Sequence, residues 1–133
     1  MVDIEQFIEA GRGRLPGLLG IEIDEIEQGH VRMRLPLRDE LLAPNGYLHA
    51  GTVVALADSA CGYGCIASLP ENAIGFTTIE LKTNFLATAL SGTLHGESRR
   101  LHGGRTTQIW DATVTDERGK TLALFRCTQL LLY

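Results

Sequence analysis

Residues 50–67 read AGTVVALADSACGYGCIA, and nearly every one of them is apolar or small. The run is too long for a strand and lacks the polar stripe of a surface helix, so it predicts a buried helix. Its three glycines each cost about 1 kcal/mol of helix propensity relative to alanine. Small side chains would let a sheet wrap closely around the helix, and that packing must offset the cost.

The flanking segments predict one more helix and six strands. Residues 4–10 have helical spacing and end at the breaker Gly11-Arg12-Gly13. Strands are expected at residues 20–27, 31–35, 76–86, 93–101, 106–115 and 121–132. Short turns between the last four predict an antiparallel meander. The order predicts a single α+β domain over residues 1–133, with a short N-terminal helix in residues 1–13 and one sheet that curls around one helix.

The composition restricts the class of protein. The chain is 44% hydrophobic and 21% charged, near globular averages. Its net charge of −4 argues against nucleic-acid binding, which needs a basic surface. No stretch approaches the roughly 20 apolar residues of a membrane span, and the acidic N-terminus is unlike a secretory signal. We therefore expect a soluble cytoplasmic protein that binds neither nucleic acid nor membrane and has a small-molecule partner.

The cysteines and the tryptophan are interpreted as structural residues. Cys61, Cys65 and Cys127 lie in apolar surroundings, with no His or Cys partner at metal-ligand spacing. We expect small buried hydrophobic residues and no metal site. Trp110 is expected to pack in the core or at an interface.

Asp58 is the only carboxylate between His49 and Glu71, in the middle of the predicted buried helix. Two interpretations are open. Asp58 could face solvent on a narrow polar stripe with Thr52 and Ser59. Alternatively, partial burial would raise its pKa and make the carboxylate a stronger base or nucleophile.

The start of this helix is the second candidate feature. The segment His49-Ala50-Gly51 leads into the helix, where free backbone N–H groups and the positive end of the helix dipole could polarise a carbonyl group. Small residues there would let a substrate approach the backbone. His49 is interpreted either as a capping or packing residue or as part of the site.

The run PNGYLHAGTVVALADSA, residues 44–60, resembles the signature of hotdog-fold thioesterases. The similarity is to the PaaI-like (phenylacetate-degradation) and Arthrobacter-type 4-hydroxybenzoyl-CoA thioesterase branch, and it covers residues 20–132. It implies a hotdog fold, with an antiparallel sheet wrapped around a long central helix. It also implies an acyl-CoA thioesterase that hydrolyses a CoA thioester to the free acid and CoA. No cofactor is implied other than the CoA of the substrate.

The resemblance also assigns roles to individual residues. Asp58 matches the catalytic acid, acting as nucleophile or general base, and the Ala50 N–H matches the amide that polarises the thioester carbonyl. His49 and Gly51 belong to the same motif. Thr78 matches a Ser or Thr that holds the attacking water or the acid.

Asn45, Arg105 and Thr106 are the candidate contacts with the substrate and its CoA. Arg105 lies in a basic group with Arg99, Arg100 and His102, which could bind CoA phosphates or be an ordinary solvated turn.

The sequence departs from the family pattern at two positions. Ala50 replaces the usual glycine, which constrains the backbone more. Ala43 stands six residues before His49, where relatives commonly carry an Asn or Gln that contacts the thioester, and Asn45 is a possible substitute.

The spacing between Ala50 and Asp58 makes an independent prediction. Eight residues of helix correspond to about 12 Å, so one thioester carbon cannot be reached from both. A site that combines them needs two antiparallel helices, which a two-fold dimer supplies. The resemblance implies such a homodimer, often paired further into a homotetramer.

Two other functions are open. A hotdog dehydratase or hydratase would typically pair a loop histidine with a helix Glu or an Asp-His dyad, a signature that the Asp58 helix lacks. A non-catalytic acyl-CoA-binding module is compatible with the departure at Ala43. The acyl group is not readable, because Tyr47, Tyr63, Phe85 and their apolar neighbour Leu48 could line an aromatic pocket or fill the core.

Overall fold

The computed structural model describes residues 2–133, so Met1 of the predicted N-terminal segment lies outside it. The helices are α1 (Ile4–Gly11), α2 (Leu15–Leu19) and α3 (Ala50–Ala67), with a short 3-10 turn at Asp39–Leu41. The strands are β1 (Glu22–Glu27), β2 (His30–Pro36), β3 (Gly75–Phe85), β4 (Thr93–Gly103), β5 (Thr107–Thr115) and β6 (Thr121–Leu132). Every predicted element is present, and α2 was not predicted.

All six strands form one antiparallel sheet in the order β1-β2-β4-β5-β6-β3. The expectation that the last four strands form a meander is wrong for β3. This strand pairs with β6, whereas β4 pairs with β2 and β5. The 18-residue helix α3 lies between β2 and β3 in the chain, and it allows β3 to reach the far edge of the sheet.

The concave face of the sheet packs on α3, and the small residues of the helix allow close contact. A side chain at Gly64 would overlap the ring of Trp110, and a Cβ at Gly62 would lie 2.8 Å from the ring of Phe76. Trp110 is fully buried, and so are all three cysteines, as expected. The close packing that was expected to offset the low helix propensity of glycine is therefore present.

By length and composition alone, α3 is long and apolar enough to cross a membrane. This differs from the expectation that no stretch of the chain approaches the length of an apolar membrane span. Half of the segment is buried inside the fold, and the sheet covers it. This is the pattern of the core helix of a globular domain.

A β-bulge interrupts β3 at Ile79. Thr78 pairs with Gln129 across the strands, but Glu80 pairs with Thr128, so β3 contains one extra residue. Before the bulge, Thr78 faces the helix. After it, Leu81 pairs with Cys127 and shares the inner face of the sheet with that buried residue.

As an edge strand, β3 leaves one side of its backbone unpaired by the sheet. Much of the apolar surface near it is also uncovered. Ile74, Ile79, Leu81, Phe85 and Leu86 are between 43% and 78% exposed. A long edge strand with exposed apolar side chains is a surface suited to pairing with another chain.

Candidate active site

The N-terminus of α3 is capped by His49. The imidazole Nδ1 of His49 accepts a hydrogen bond from the Gly51 N–H at 2.7 Å, and His49 itself has an extended backbone. A Cβ at Gly51 would lie 2.9 Å from the same Nδ1, so glycine leaves room for this cap. The capping interpretation of His49 is confirmed, and the bond also fixes the ring at the helix entrance.

The segment before α3 is held in place by hydrogen bonds to Leu41. The Thr52 hydroxyl donates to the Leu41 carbonyl at 2.8 Å, and the His49 N–H donates to the same oxygen at 3.3 Å. Asn45 Oδ1 accepts from the Tyr47 N–H at 3.2 Å, so this side-chain oxygen serves the local turn. The start of α3 is therefore positioned by hydrogen bonds between residues of the same chain.

Ala50 is the first residue of α3, and its N–H has no acceptor within residues 2–133. His49, Ala50 and Gly51 are all exposed in the single chain. An unpaired N–H at the positive end of an 18-residue helix is a suitable donor for an oxygen that develops negative charge.

Asp58 is half-buried near the middle of α3 and accepts a hydrogen bond from the Thr78 hydroxyl at 3.1 Å. Burial raises the pKa of Asp58, and the bond from Thr78 opposes part of that rise. Thr52 is buried and bonded to Leu41, so no solvent-facing stripe with Asp58 and Ser59 exists. The alternative interpretation of Asp58 as part of such a stripe is therefore wrong.

Gln129 belongs to the same cluster, although it was not predicted as a site residue. Its side chain is fully buried, and its Oε1 lies 2.8 Å from the Thr78 hydroxyl oxygen. The alternation of buried and exposed residues in β6 could have indicated this position. Ala123, Phe125 and Cys127 point inward, and Gln129 is a polar residue at the next inward position.

The basic group near the β4–β5 turn is smaller than predicted. Arg99 pairs with Glu97 at 3.3 Å, and Arg100 lies 3.5 Å from the Ser68 carbonyl, so both have partners within the chain. The exposed Arg105 makes no ion pair among residues 2–133.

Arg105 and Thr106 lie at the end of the sheet where β3 begins. The Thr106 carbonyl accepts from the Leu131 N–H at 2.9 Å, and Leu131 pairs with Phe76, two residues before Thr78. The two CoA candidates are thus at the same end of the sheet as Thr78, whereas the Ala50 amide of the same chain lies about two turns of helix from Asp58.

Within residues 2–133, one group of side chains is close enough to share a metal ion: Glu25, Glu27 and His30 at the β1–β2 turn. These residues already have partners. His30 bonds Glu27 at 3.2 Å and Glu97 at 3.0 Å, and Arg32 pairs with Glu25 at 2.6 Å. None of the predicted site residues belongs to this group.

Known proteins similar to this chain include thioesterases and CoA hydrolases. A family model described as the thioesterase superfamily matches residues 45–123. A 1,4-dihydroxy-2-naphthoyl-CoA hydrolase of Listeria monocytogenes is 36% identical over 110 residues, which cover 83% of this chain and 89% of the relative.

Two solved structures extend the similarity to the whole fold. A mutant of thioesterase PA1618 from Pseudomonas aeruginosa superposes with a TM-score of 0.93 at 26% identity, covering 99% of this chain and 95% of the other. The protein smu.793 of Streptococcus mutans, bound to acetyl CoA, gives a TM-score of 0.78 at 27% identity over 84% of this chain and 88% of the other. The predicted α+β hotdog fold is confirmed, and the chain belongs to the thioesterase superfamily as a thioester hydrolase.

Proposed function

We propose that this protein is a cytoplasmic acyl-CoA thioesterase whose site combines Asp58 of one chain with the Ala50 amide of a second chain. The observation that carries the proposal is the Asp58 carboxylate, half-buried and bonded by Thr78 on a helix that otherwise buries apolar residues. Partial desolvation without a cationic partner makes a carboxylate more basic and more nucleophilic. The names of the related CoA hydrolases support the substrate class.

The helix geometry supports a two-chain site. Ala50 and Asp58 are about 12 Å apart along α3, so both cannot contact one carbonyl group from the same chain. The free edge of β3 and its exposed apolar side chains offer a surface for a second copy, and Thr78 lies on this strand beside Asp58. Pairing of two β3 edges about a two-fold axis would bring the α3 helices together in opposite directions. We propose this dimer, with two such dimers forming the homotetramer.

In the proposed reaction, the thioester carbonyl oxygen accepts a hydrogen bond from the Ala50 N–H at the positive end of α3. This bond stabilises the negative charge that develops as the carbonyl carbon is attacked. Asp58 either attacks that carbon itself or removes a proton from an attacking water. In the first case an acyl–aspartyl anhydride forms, CoA leaves as the thiolate, and water then releases the acid. In both cases the products are the free acid and CoA, and no further cofactor is needed.

Thr78, His49 and Gly51 support these two groups. Thr78 orients the carboxylate by its hydrogen bond, and the cap between His49 and Gly51 fixes the first turn of α3. Arg105 and Thr106, exposed at the β4–β5 turn, are proposed to contact the CoA phosphates. Asn45 remains a candidate for contact with the substrate through its amide nitrogen.

An aromatic acyl group is the first class to test. The Listeria relative is named for a naphthoyl-CoA substrate, and two aromatic side chains of this protein lie outside its core. Tyr47 and Phe85 are 56% and 49% exposed. Tyr63, in contrast, packs against the core, with its ring centroid 5.2 Å from that of Phe7.

The direct test is Asp58→Asn, which keeps the shape of the side chain and removes its charge. We expect kcat to fall by at least about a hundredfold with little change in KM, because the CoA contacts lie elsewhere. Thiol release should be measured on naphthoyl-, hydroxybenzoyl-, phenylacetyl-, short aliphatic and long aliphatic CoA thioesters.

The same experiment separates the rival functions. If Asp58→Asn folds, assembles normally and hydrolyses the best substrate within threefold of the wild type, Asp58 is structural and the proposal is wrong. Hydration of an enoyl-CoA without thiol release would indicate a hydratase. Tight binding of acyl-CoA without turnover would indicate a binding module.

A further inference from the structure

Gln129 and Thr78 lie directly opposite each other in the paired strands β6 and β3. Both side chains point to the face that packs on α3, where Asp58 is located. Gln129 is fully buried, and burial of an amide is unfavourable unless its polar atoms are hydrogen-bonded. Apart from Thr78, its side chain contacts the thiol of Cys127 at 3.4 Å, which is a weak partner. The short contact of Gln129 is therefore the one with Thr78.

The Thr78 hydroxyl has one proton and two neighbours that can accept it. Its oxygen is 3.1 Å from Asp58 Oδ1 and 2.8 Å from Gln129 Oε1. An ionised carboxylate can only accept a hydrogen bond, and it is a stronger acceptor than an amide oxygen, so ionised Asp58 favours the orientation in which the Thr78 proton points to it. The lone pairs of Thr78 then face Gln129, and only the NH₂ end of the amide can donate to them.

The amide can meet this requirement by a half-turn about its last bond, a torsion with two nearly equivalent positions. The NH₂ group then donates to Thr78, and the carbonyl oxygen faces the thiol of Cys127, which is a weak donor. With Asp58 protonated, the direction of the chain reverses: Asp58 donates to Thr78, and Thr78 donates to the Gln129 carbonyl oxygen. Each protonation state of Asp58 thus selects one orientation of Gln129.

We infer that Gln129 is a positioning residue of the hydrolytic site, whose amide orients the Thr78 hydroxyl toward Asp58. The inference rests on the proposed role of Asp58. A chain of donors that ends on a carboxylate polarises each bond in it, so the amide strengthens the bond from Thr78 to Asp58. The titratable groups facing this cluster are the thiols of Cys61 on α3 and Cys127 on β6.

Gln108 provides a matched control. It is also a buried glutamine, in β5, and it pairs directly with Gln129 across the strands. Its amide donates to the Ser68 carbonyl at 2.9 Å and accepts from the Trp110 indole N–H at 2.8 Å. Gln108→Met therefore removes an equally buried amide one strand away without touching the bonds of Thr78.

The experiment compares the pH dependence of kcat/KM in Gln129→Met, Gln108→Met and the wild type. Without the donor, the bond from Thr78 to Asp58 weakens. We expect the acidic limb of the Gln129→Met profile to move to higher pH by roughly half a unit and kcat to fall about three- to tenfold. The limb of Gln108→Met should stay at the wild-type position, even if that variant melts earlier.

A second comparison tests whether Gln129 acts through Thr78. Thr78→Val should move the acidic limb in the same direction, and the further exchange Gln129→Met should then move it no more. Equal limb positions in Gln129→Met and Gln108→Met, or additive shifts in the double variant, would overturn the inference. If Asp58→Asn is fully active, the proposed function fails. If Asp58→Asn is inactive and the Gln129→Met limb does not move, only the role of Gln129 fails.

A measurement on the unaltered side chain covers the case in which Gln129→Met does not fold. The side-chain NH₂ signals of Gln129 in a nitrogen-proton correlation spectrum should shift with pH as Asp58 titrates. In Asp58→Asn they should not shift over the same pH range. Signals that are independent of pH in the wild type would contradict the inference.

Discussion

The exchange Ala50→Pro removes one N–H group from the start of α3 and leaves the helix intact. Ala50 is the first helical residue, where proline is favoured because its fixed φ suits the first turn. His49, the residue before it, has φ −67° and ψ 131°, the extended conformation that a residue preceding proline adopts. The lost N–H has no acceptor within residues 2–133, so the chain loses no hydrogen bond of its own.

If the Ala50 N–H stabilises the developing oxyanion, its removal should lower kcat by about 10²- to 10³-fold. Oligomeric state and thermal unfolding midpoint should stay close to those of the wild type, because the cap between His49 Nδ1 and the Gly51 N–H is retained. Thiol release on the best substrate gives the rate, and light scattering with thermal melting gives the control.

A mixed dimer of one Ala50→Pro chain and one Asp58→Asn chain tests the two-chain site. In a mixed dimer, the Asp58→Asn chain supplies a working amide and the Ala50→Pro chain supplies a working carboxylate, so one of the two sites is complete. A purified mixed dimer should recover about half of the wild-type activity, and a freely exchanged equal mixture about a quarter. Two affinity tags allow the mixed dimer to be isolated.

Two results would refute this reasoning. Ala50→Pro with a turnover within threefold of the wild type would mean that the carbonyl oxygen is bound elsewhere. A mixed dimer no more active than its inactive parents would mean that both groups act within one chain, or that Ala50→Pro distorts more than one N–H group.

Three further predictions concern Asp58, Ala43 and Gly64. Because burial raises the pKa of Asp58, activity should fall as the pH drops through that raised value. The buried charge also lowers stability above this pKa, so Asp58→Asn should raise the melting midpoint at neutral pH. That gain should disappear as the pH falls below the pKa of an aspartate in the unfolded chain. Ala43→Asn should raise kcat if a missing amide limits the reaction, and an unchanged rate would show that another group fills that role. Gly64→Ala should lower the free energy of unfolding in denaturant titrations by about 1–3 kcal/mol, because its Cβ would overlap Trp110.

Local patterns predicted the elements of this fold well. The bounds of α3 agree with the apolar run of residues 50–67, although only half of this helix is buried in the single chain. The limits of β3 and β4 differ from the predicted ones by one or two residues. The short helix α2 was missed, since its sequence Leu15-Pro16-Gly17 looks like a loop and its first turn tolerates the proline.

The pairing of distant strands could not be predicted from those patterns. Alternation of apolar residues says which face of a strand is buried, but not which strand lies beside it. The contact between Thr78 and Gln129 depends on the pairing of β3 with β6 and joins residues 51 positions apart. Asp58 could be singled out from its surroundings in sequence, whereas Gln129 acquires its role only through that pairing.

The extra residue in β3 matters for the free edge of the sheet rather than for the orientation of Thr78. Within β3, Ile79 is the residue without a partner in β6: Thr78 pairs with Gln129 and Glu80 pairs with the next residue, Thr128. Deletion of Ile79 would therefore leave a regular strand in which Thr78 still faces inward and Glu80 still faces outward. What the bulge changes is the backbone, because it bends the strand and increases its local twist. A second chain that pairs with this edge must follow the same bend, so we expect deletion of Ile79 to weaken assembly more than the folding of one chain.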